Sequence, residues 1–180
     1  MFHRACNELF KLSESRGKDA SGVALLANER VSVLKDNIPA RKMIRSGQYK
    51  ALLSSLRDPI DGPHLLMGHS RMVTNGNDAV HDNNHPIIRK KMAVIHNGIV
   101  VNQQEIWEEL PEERPRTDTD TEIIPVLLDH YLKETGSLVE AVRMLYRRIE
   151  GTANLSILFE QLMCLLLSSN NGSLYYAWDG

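Results

Sequence analysis

The chain predicts an α+β domain, from two observations on its hydrophobic pattern and one on its punctuation. Apolar residues recur at helical spacing in some segments, such as Phe2, Ala5, Cys6, Leu9 and Phe10, and later Ile123, Ile124, Leu127, Leu128, Tyr131 and Leu132. Elsewhere they gather into runs of strand length, as at 22–27, 92–95 and 154–159. Clusters of Gly, Pro, Asn and Asp separate the two kinds of segment. With 180 residues and 42% hydrophobic content, the chain reads as one domain, 1–180, able to bury a substantial core. Composition and element order by themselves support no architecture more specific than α+β.

Taken in order, the first helix runs to Ser13, and Gly17 stands where a helix needs a left-handed stop. Residues 22–27 and 31–34, separated by Asn28-Glu29-Arg30, predict a hairpin whose near-continuous first strand is central and whose second alternates. Residues 39–56 are helical with a break at Ser46-Gly47, and 58–63 are turn-rich. Two strands follow, at 64–72 and 91–96, with the short basic cluster Arg89-Lys90-Lys91 read as a solvated lead into the second. Between them lies a polar loop, 73–86, long enough to be functional.

Asn102 and Glu105 make a capping pair for a short helix to Leu110. Thr119 or Asp118 caps a longer helix ending near Gly136, and Ser137 with Glu140 caps another over 138–149. Residues 154–159, 162–168 and 174–178 read as strands, the last two joined by Ser169-Asn170-Asn171-Gly172.

The balance of 21 basic and 23 acidic residues argues against nucleic acid or an anionic membrane as the main partner. Two cysteines, Cys6 and Cys164, cannot form a disulfide framework. The longest apolar run, 162–167, is far short of the ~20 residues a membrane span needs. These features predict a soluble, cytoplasmic protein. His64, His69, His81, His85 and His96 fall in one stretch, but His64 and His69 point to opposite faces of a predicted strand and no metal-binding motif links the others, so no metal is expected.

Four short polar motifs end apolar segments, where a scaffold gives way to loops that can hold chemistry. They are Arg16-Gly17-Lys18-Asp19-Ala20-Ser21-Gly22, Gly68-His69-Ser70-Arg71 continuing to Gly76, His96-Asn97-Gly98, and Thr119-Asp120-Thr121-Glu122. Each has an ordinary explanation: a helix stop and turn, a surface ion pair for Arg71, a hairpin turn at Asn97-Gly98, and helix capping by Asp120.

In their order, and across almost the whole chain, these motifs resemble the class II glutamine amidotransferase domain of the N-terminal nucleophile hydrolases. The likeness is greatest to the glutaminase domain of sugar-aminating synthases of the glucosamine-6-phosphate synthase kind. The resemblance implies a four-layer αββα sandwich that hydrolyses glutamine to glutamate and passes ammonia to a partner synthase domain, without a cofactor. It implies an oxyanion hole from the Asn97 amide and the Gly98 N–H. It gives Arg71 the substrate α-carboxylate, with Thr74 as a nearby hydroxyl donor, and Asp120 the α-ammonium. Asn83-Asn84-His85-Pro86 resembles the loop flanking the substrate pocket, and Arg16 and Asp19 would brace the nucleophile strand. Met72 and Asn75 stand where the family commonly has Trp and His.

The family's nucleophile is a cysteine at position one, whose own α-amino group is the base. Cys6 sits in a predicted helix and Cys164 in a predicted strand, so neither supplies both groups. The expectation is a fragment incomplete at both ends, inactive as it stands, with a catalytically silent amino-acid-binding or protein-interaction module as the alternative. Strands left without neighbours further predict marginal stability or rescue by a homodimer.

Overall fold

The computed structural model describes residues 2–54, 56, 64–72, 81–172 and 174–177. Helix α1 (Phe2–Ser13) buries Cys6 and Phe10, while Leu9, at the same spacing, is exposed. Strand β1 (Ala20–Ala27) is buried along its whole length. It turns through Asn28 and Glu29, both at positive φ (50° and 59°), into β2 (Arg30–Asp36), and β3 (Leu65–Arg71) pairs with its other edge. The resulting sheet has the order β2-β1-β3, all antiparallel. Helices α2 (Ala40–Met43) and α3 (Gly47–Ser54) follow, broken where expected.

The second sheet has the order β4-β5-β6-β7: Ile87–Arg89, Met92–Val100, Gly151–Phe159 and Cys164–Ser169. Between β5 and β6 the chain forms α4 (Gln103–Glu109), α5 (Ile123–Thr135) and α6 (Leu138–Arg148).

Side-chain alternation builds the layers. In β1, Val23, Leu25 and Ala27 pack with Phe10, Met43, Tyr49 and Leu53 of α1–α3, while Ala24 and Leu26 face the other sheet. In β5, Met92 and Val94 pack with α4–α6, while Ala93 and Ile95 meet Ala24, Leu26 and Met67 across the sheet interface. Burial on both faces is what suits the apolar runs 22–27 of β1 and 92–95 of β5. The order is helices, sheet, sheet, helices: the αββα sandwich.

Several local expectations are corrected. Gly17 ends a 3-10 turn at φ 173°, extended rather than left-handed. Strand β4 was not foreseen, and it joins β5 through Lys90 and Lys91 at φ 52° and 57°. Arg89 is 4% exposed, not solvated. Neither Asn102 nor Thr119 caps through its side chain: Asn102 instead accepts from the Glu150 N–H and donates to the Arg148 carbonyl. A 3-10 turn, Asp120–Glu122, precedes α5. Gly136 does end α5 in the left-handed region, and Ser137 accepts from the Glu140 N–H. Residues 174–177 form no strand, and Trp178 lies outside the described residues, as does the turn-rich segment 58–63. No helix among the described residues is long and apolar enough to cross a membrane.

Candidate functional site

A cleft of about 680 Å³ opens where the C-terminal end of β3 meets the second half of β5, walled by residues 118–121. Arg16, Arg71, His85, Asn97, Gly98 and Asp120 all line it. Thr74 lies outside the described residues, and so does Asn75.

The Arg71 end is built by close backbone contact. A Cβ on Gly17 would lie 2.2 Å from the Arg71 carbonyl carbon, so only glycine lets the turn after α1 pass there. The Asp19 N–H then donates to the Arg71 carbonyl at 3.1 Å. Arg71 is 8% exposed, and its Nη1 donates to the Asn83 carbonyl (3.2 Å) and Asn84 Oδ1 (2.9 Å).

The loop that receives Arg71 is itself pinned. Lys35 Nζ donates to the carbonyls of Asp82 (3.0 Å) and Asn84 (2.9 Å), Asn84 Nδ2 donates to Asn37 Oδ1, and Asn83 exchanges hydrogen bonds with Asp118. Burial lowers the Lys35 ammonium below its ordinary pKa, against the pull of Asp82. A Cβ on Gly22 would sit 2.0 Å from the His85 carbonyl oxygen, so β1 also makes room for this loop.

The opposite wall comes from β5. Expected to end at His96, the strand continues through Asn97 and Gly98 to Val100, paired with β6. The Asn97–Gly98 pair is therefore not a hairpin turn. Gly98 has φ 154°, and a Cβ there would meet the Thr152 carbonyl oxygen at 1.8 Å. The Asn97 carbonyl accepts from Asn154 Nδ2 at 2.9 Å, and its side-chain Oδ1 lies 3.4 Å from His69 Nε2.

Asp120 Oδ2 accepts from the Val100 N–H at 2.7 Å, which ties the third wall to β5 and leaves the side chain 24% exposed to the cleft. The same segment is anchored by Glu122, whose carboxylate accepts from the N–H groups of Arg116 (2.8 Å) and Thr117 (2.7 Å) and pairs with Arg89 Nη1. Arg89 and Glu122 side chains are 3% and 2% exposed. Arg89 Nη2 also meets Glu113 at 2.6 Å, and its guanidinium lies 5.6 Å from the Trp107 ring centroid.

His69, His96 and Thr121 also line the cleft, though none carries a site signal of its own in the sequence. Each is adjacent, in sequence or on one strand face, to a candidate residue: His69 two before Arg71, His96 before Asn97, Thr121 after Asp120. Thr121 Oγ1 lies 3.0 Å from His85 Nε2 and 3.2 Å from His96 Nδ1. Burial lowers all three imidazoles: His69 to about 4, His85 well below its ordinary value, and His96 also downward, with Asp120 opposing. Neither cysteine lines the cleft, and burial raises both thiols. Among the described residues no group of three or more His, Cys, Asp or Glu is placed to hold a metal.

Residues 69–180 match the family model of a glutamine amidotransferase domain. The chain is 33% identical over 168 residues to glutamine–fructose-6-phosphate aminotransferase of Bartonella henselae, covering 92% of this chain and 26% of that one. It is 34% identical over 154 residues to the protein of the same name from Clostridium perfringens, covering 81% and 22%. It thus spans about a quarter of the length of these relatives. Among solved structures, glutamine phosphoribosylpyrophosphate amidotransferase from B. subtilis superposes with a TM-score of 0.61 at 20% identity, covering 86% of this chain and 32% of that chain. At that identity the likeness is one of fold.

Proposed function

Because this chain belongs to the glutamine amidotransferase domain family, we propose that its cleft binds glutamine by the amino acid head and presents the side-chain amide to the Asn97–Gly98 edge of β5. In this reading Arg71 receives the α-carboxylate and Asp120 the α-ammonium, with Thr74 and His85 beside the substrate. The Asn97 amide and the Gly98 N–H stabilise the oxyanion, and Arg16 and Asp19 support the site. The observation that carries the reading is that Arg71, Asn97, Gly98 and Asp120, from three distant segments, line one cleft.

Hydrolysis requires a thiolate in that cleft, and neither Cys6 nor Cys164 is there. The 180-residue chain is therefore expected to bind glutamine without releasing glutamate. Where a nucleophile is supplied, the ammonia would pass to a synthase domain, in keeping with relatives about four times as long. Two cysteines held apart suit a reducing compartment, and we place the protein in the cytoplasm. Among the described residues no strand pairs with the outer edges of β2 and β7, which suits a homodimer that sedimentation over a concentration series would reveal.

Calorimetric titration with glutamine tests the assignment. Asp120→Asn and Arg71→Lys should each weaken binding at least about tenfold, near 1.4 kcal/mol. A folded protein with no glutamine affinity, or with affinity untouched by both substitutions, overturns it. Glutamate release that disappears in Cys6→Ser or Cys164→Ser would overturn the assignment of both thiols as structural.

A further inference from the structure

Thr121 stands where three segments meet. It is 1% exposed and follows Asp120 in the 3-10 turn before α5. Its Oγ1 lies 3.2 Å from His96 Nδ1 on β5 and 3.0 Å from His85 Nε2 in the 82–86 loop. The direction of both hydrogen bonds follows from their partners. The Thr152 carbonyl can only accept, so His96 Nε2, 3.2 Å away, carries a proton. Burial disfavours a second proton on this ring, so His96 Nδ1 is a lone pair and the Thr121 hydroxyl donates to it. That spends the one hydroxyl proton, and Thr121 Oγ1 accepts from His85 Nε2–H.

The segments joined in this way carry the two poles of the cleft. On one side of the hydroxyl the backbone leads directly to Asp120, whose Oδ2 accepts from the Val100 N–H at 2.7 Å. On the other, His85 follows Asn83 and Asn84, whose carbonyl and Oδ1 receive Arg71 Nη1. The same loop is tied to the same wall once more, by Asn83 Nδ2 donating to Asp118 Oδ2 at 3.1 Å and the Asp118 N–H donating to Asn83 Oδ1 at 3.0 Å. Thr121 differs from that pair in reaching β5 as well as the loop. It does so as donor and acceptor at once, which an apolar side chain of the same shape cannot do.

On the reading that the cleft clamps an amino acid head, we propose that Thr121 is a positioning residue: through His85 and His96 its hydroxyl fixes the spacing between the Arg71 loop and Asp120. The carboxylate and ammonium of an amino acid hang from one carbon, so a site that holds both must keep its cation and its anion at one short span. A span set in advance by the protein spares the ligand the cost of ordering it.

The test compares Thr121→Val, which keeps the shape and removes the hydroxyl, with Thr121→Ser, which keeps the hydroxyl. In calorimetric titration, glutamine should bind at least about tenfold more weakly to Thr121→Val and within about twofold of the unsubstituted chain to Thr121→Ser. Leu53→Ala, which opens a cavity in the α1–α3 core and leaves the hydroxyl in place, should lower stability and keep the affinity. Imidazole ¹⁵N NMR supplies a measurement without ligand. In the unsubstituted chain His85 and His96 should be protonated at Nε2 and bare at Nδ1. In Thr121→Val the His85 Nε2 and His96 Nδ1 signals should move, while exposed His130 stays. Four outcomes overturn the proposal: either ring protonated at Nδ1 in the unsubstituted chain; Thr121→Val unchanged in its imidazole signals or its affinity; Thr121→Ser as weak as Thr121→Val; or Leu53→Ala weakened as much as Thr121→Val. If the unsubstituted chain itself binds no glutamine, the glutamine reading fails, and the Thr121 link is judged by the imidazole signals alone.

Discussion

The two sides of the cleft are held by different forces. On the β5 side, Asn97, Gly98 and Asp120 sit on or beside a strand whose outer face joins α4–α6 in a continuous apolar core, and the segment carrying Asp120 is anchored by the buried Arg89–Glu122 pair. On the β3 side, Arg71 is held by a polar lattice in which Lys35, Asn37, Asn83 and Asn84 fix the 82–86 loop, over a smaller core formed by α1–α3. Apolar packing is cooperative and spreads a loss through the domain, whereas a hydrogen-bonded loop can open by itself. The anionic pole of the site is therefore tied to global stability and the cationic pole to local order.

The largest expected effect is on the β5 side. Glu122→Ala removes one partner of a buried ion pair and frees the N–H groups of Arg116 and Thr117, so unfolding free energy in urea should fall by about 3–5 kcal/mol. A loss below about 1 kcal/mol would mean that the pair is not what fixes this wall. Next come matched cavities. Leu128→Ala in α5 should cost about 3–5 kcal/mol, and Leu53→Ala in α3 about 2–3 kcal/mol, because the smaller core can collapse around the gap more readily. Equal losses would erase the contrast.

Acid tests the region where the two sides meet. His69 is lowered to about 4 from an ordinary 6.5, so its contribution is fully present above about pH 6.5 and is lost as pH falls through about 4, where the unfolded chain already binds the proton. That linkage amounts to about 3 kcal/mol for His69, and His85 acts in the same direction. Melts at about pH 7 and about pH 4 should differ accordingly; unchanged melting would place these rings in water.

The smallest global effect is expected for Lys35→Met, which removes the ammonium from its loop carbonyls and should cost about 1–2 kcal/mol. Hydrogen exchange should quicken over 82–86 and around Arg71 while α5 stays protected. Uniform quickening would show that the polar lattice is as cooperative as the core.

Much of this was legible from residue types. The runs at 22–27 and 92–95, the helical spacing of 123–132 and the Gly136 stop carry their structure locally, because each has a single period or a single residue that decides it. Other elements were not. Strand β4 spans three residues and turns through two lysines in the left-handed region, with neither the Asn nor the Gly that marks such turns. Asn102 reads as a cap, yet its amide is drawn to Arg148 and Glu150, far along the chain. Arg89 reads as a surface charge because Glu113 and Glu122, which let it be buried, lie more than twenty residues away.

What the sequence by itself determined is the α+β class and which runs are apolar enough to be buried on both faces; the layer plan and the cleft residues Arg71, Asn97, Gly98 and Asp120 were legible only through the family resemblance of their motifs. Class and apolar runs are properties of hydrophobic period and local backbone preference, which neighbours in sequence suffice to set. Only the tertiary structure decided that β5 runs on past His96, that Gly17 and Gly22 exist to let other backbones pass, and that Thr121 links His85 to His96 while His69 packs edge-on against His85. Those outcomes depend on the distance between residues remote in sequence, and a steric clash or a shared proton has no signature until the chain has brought them together.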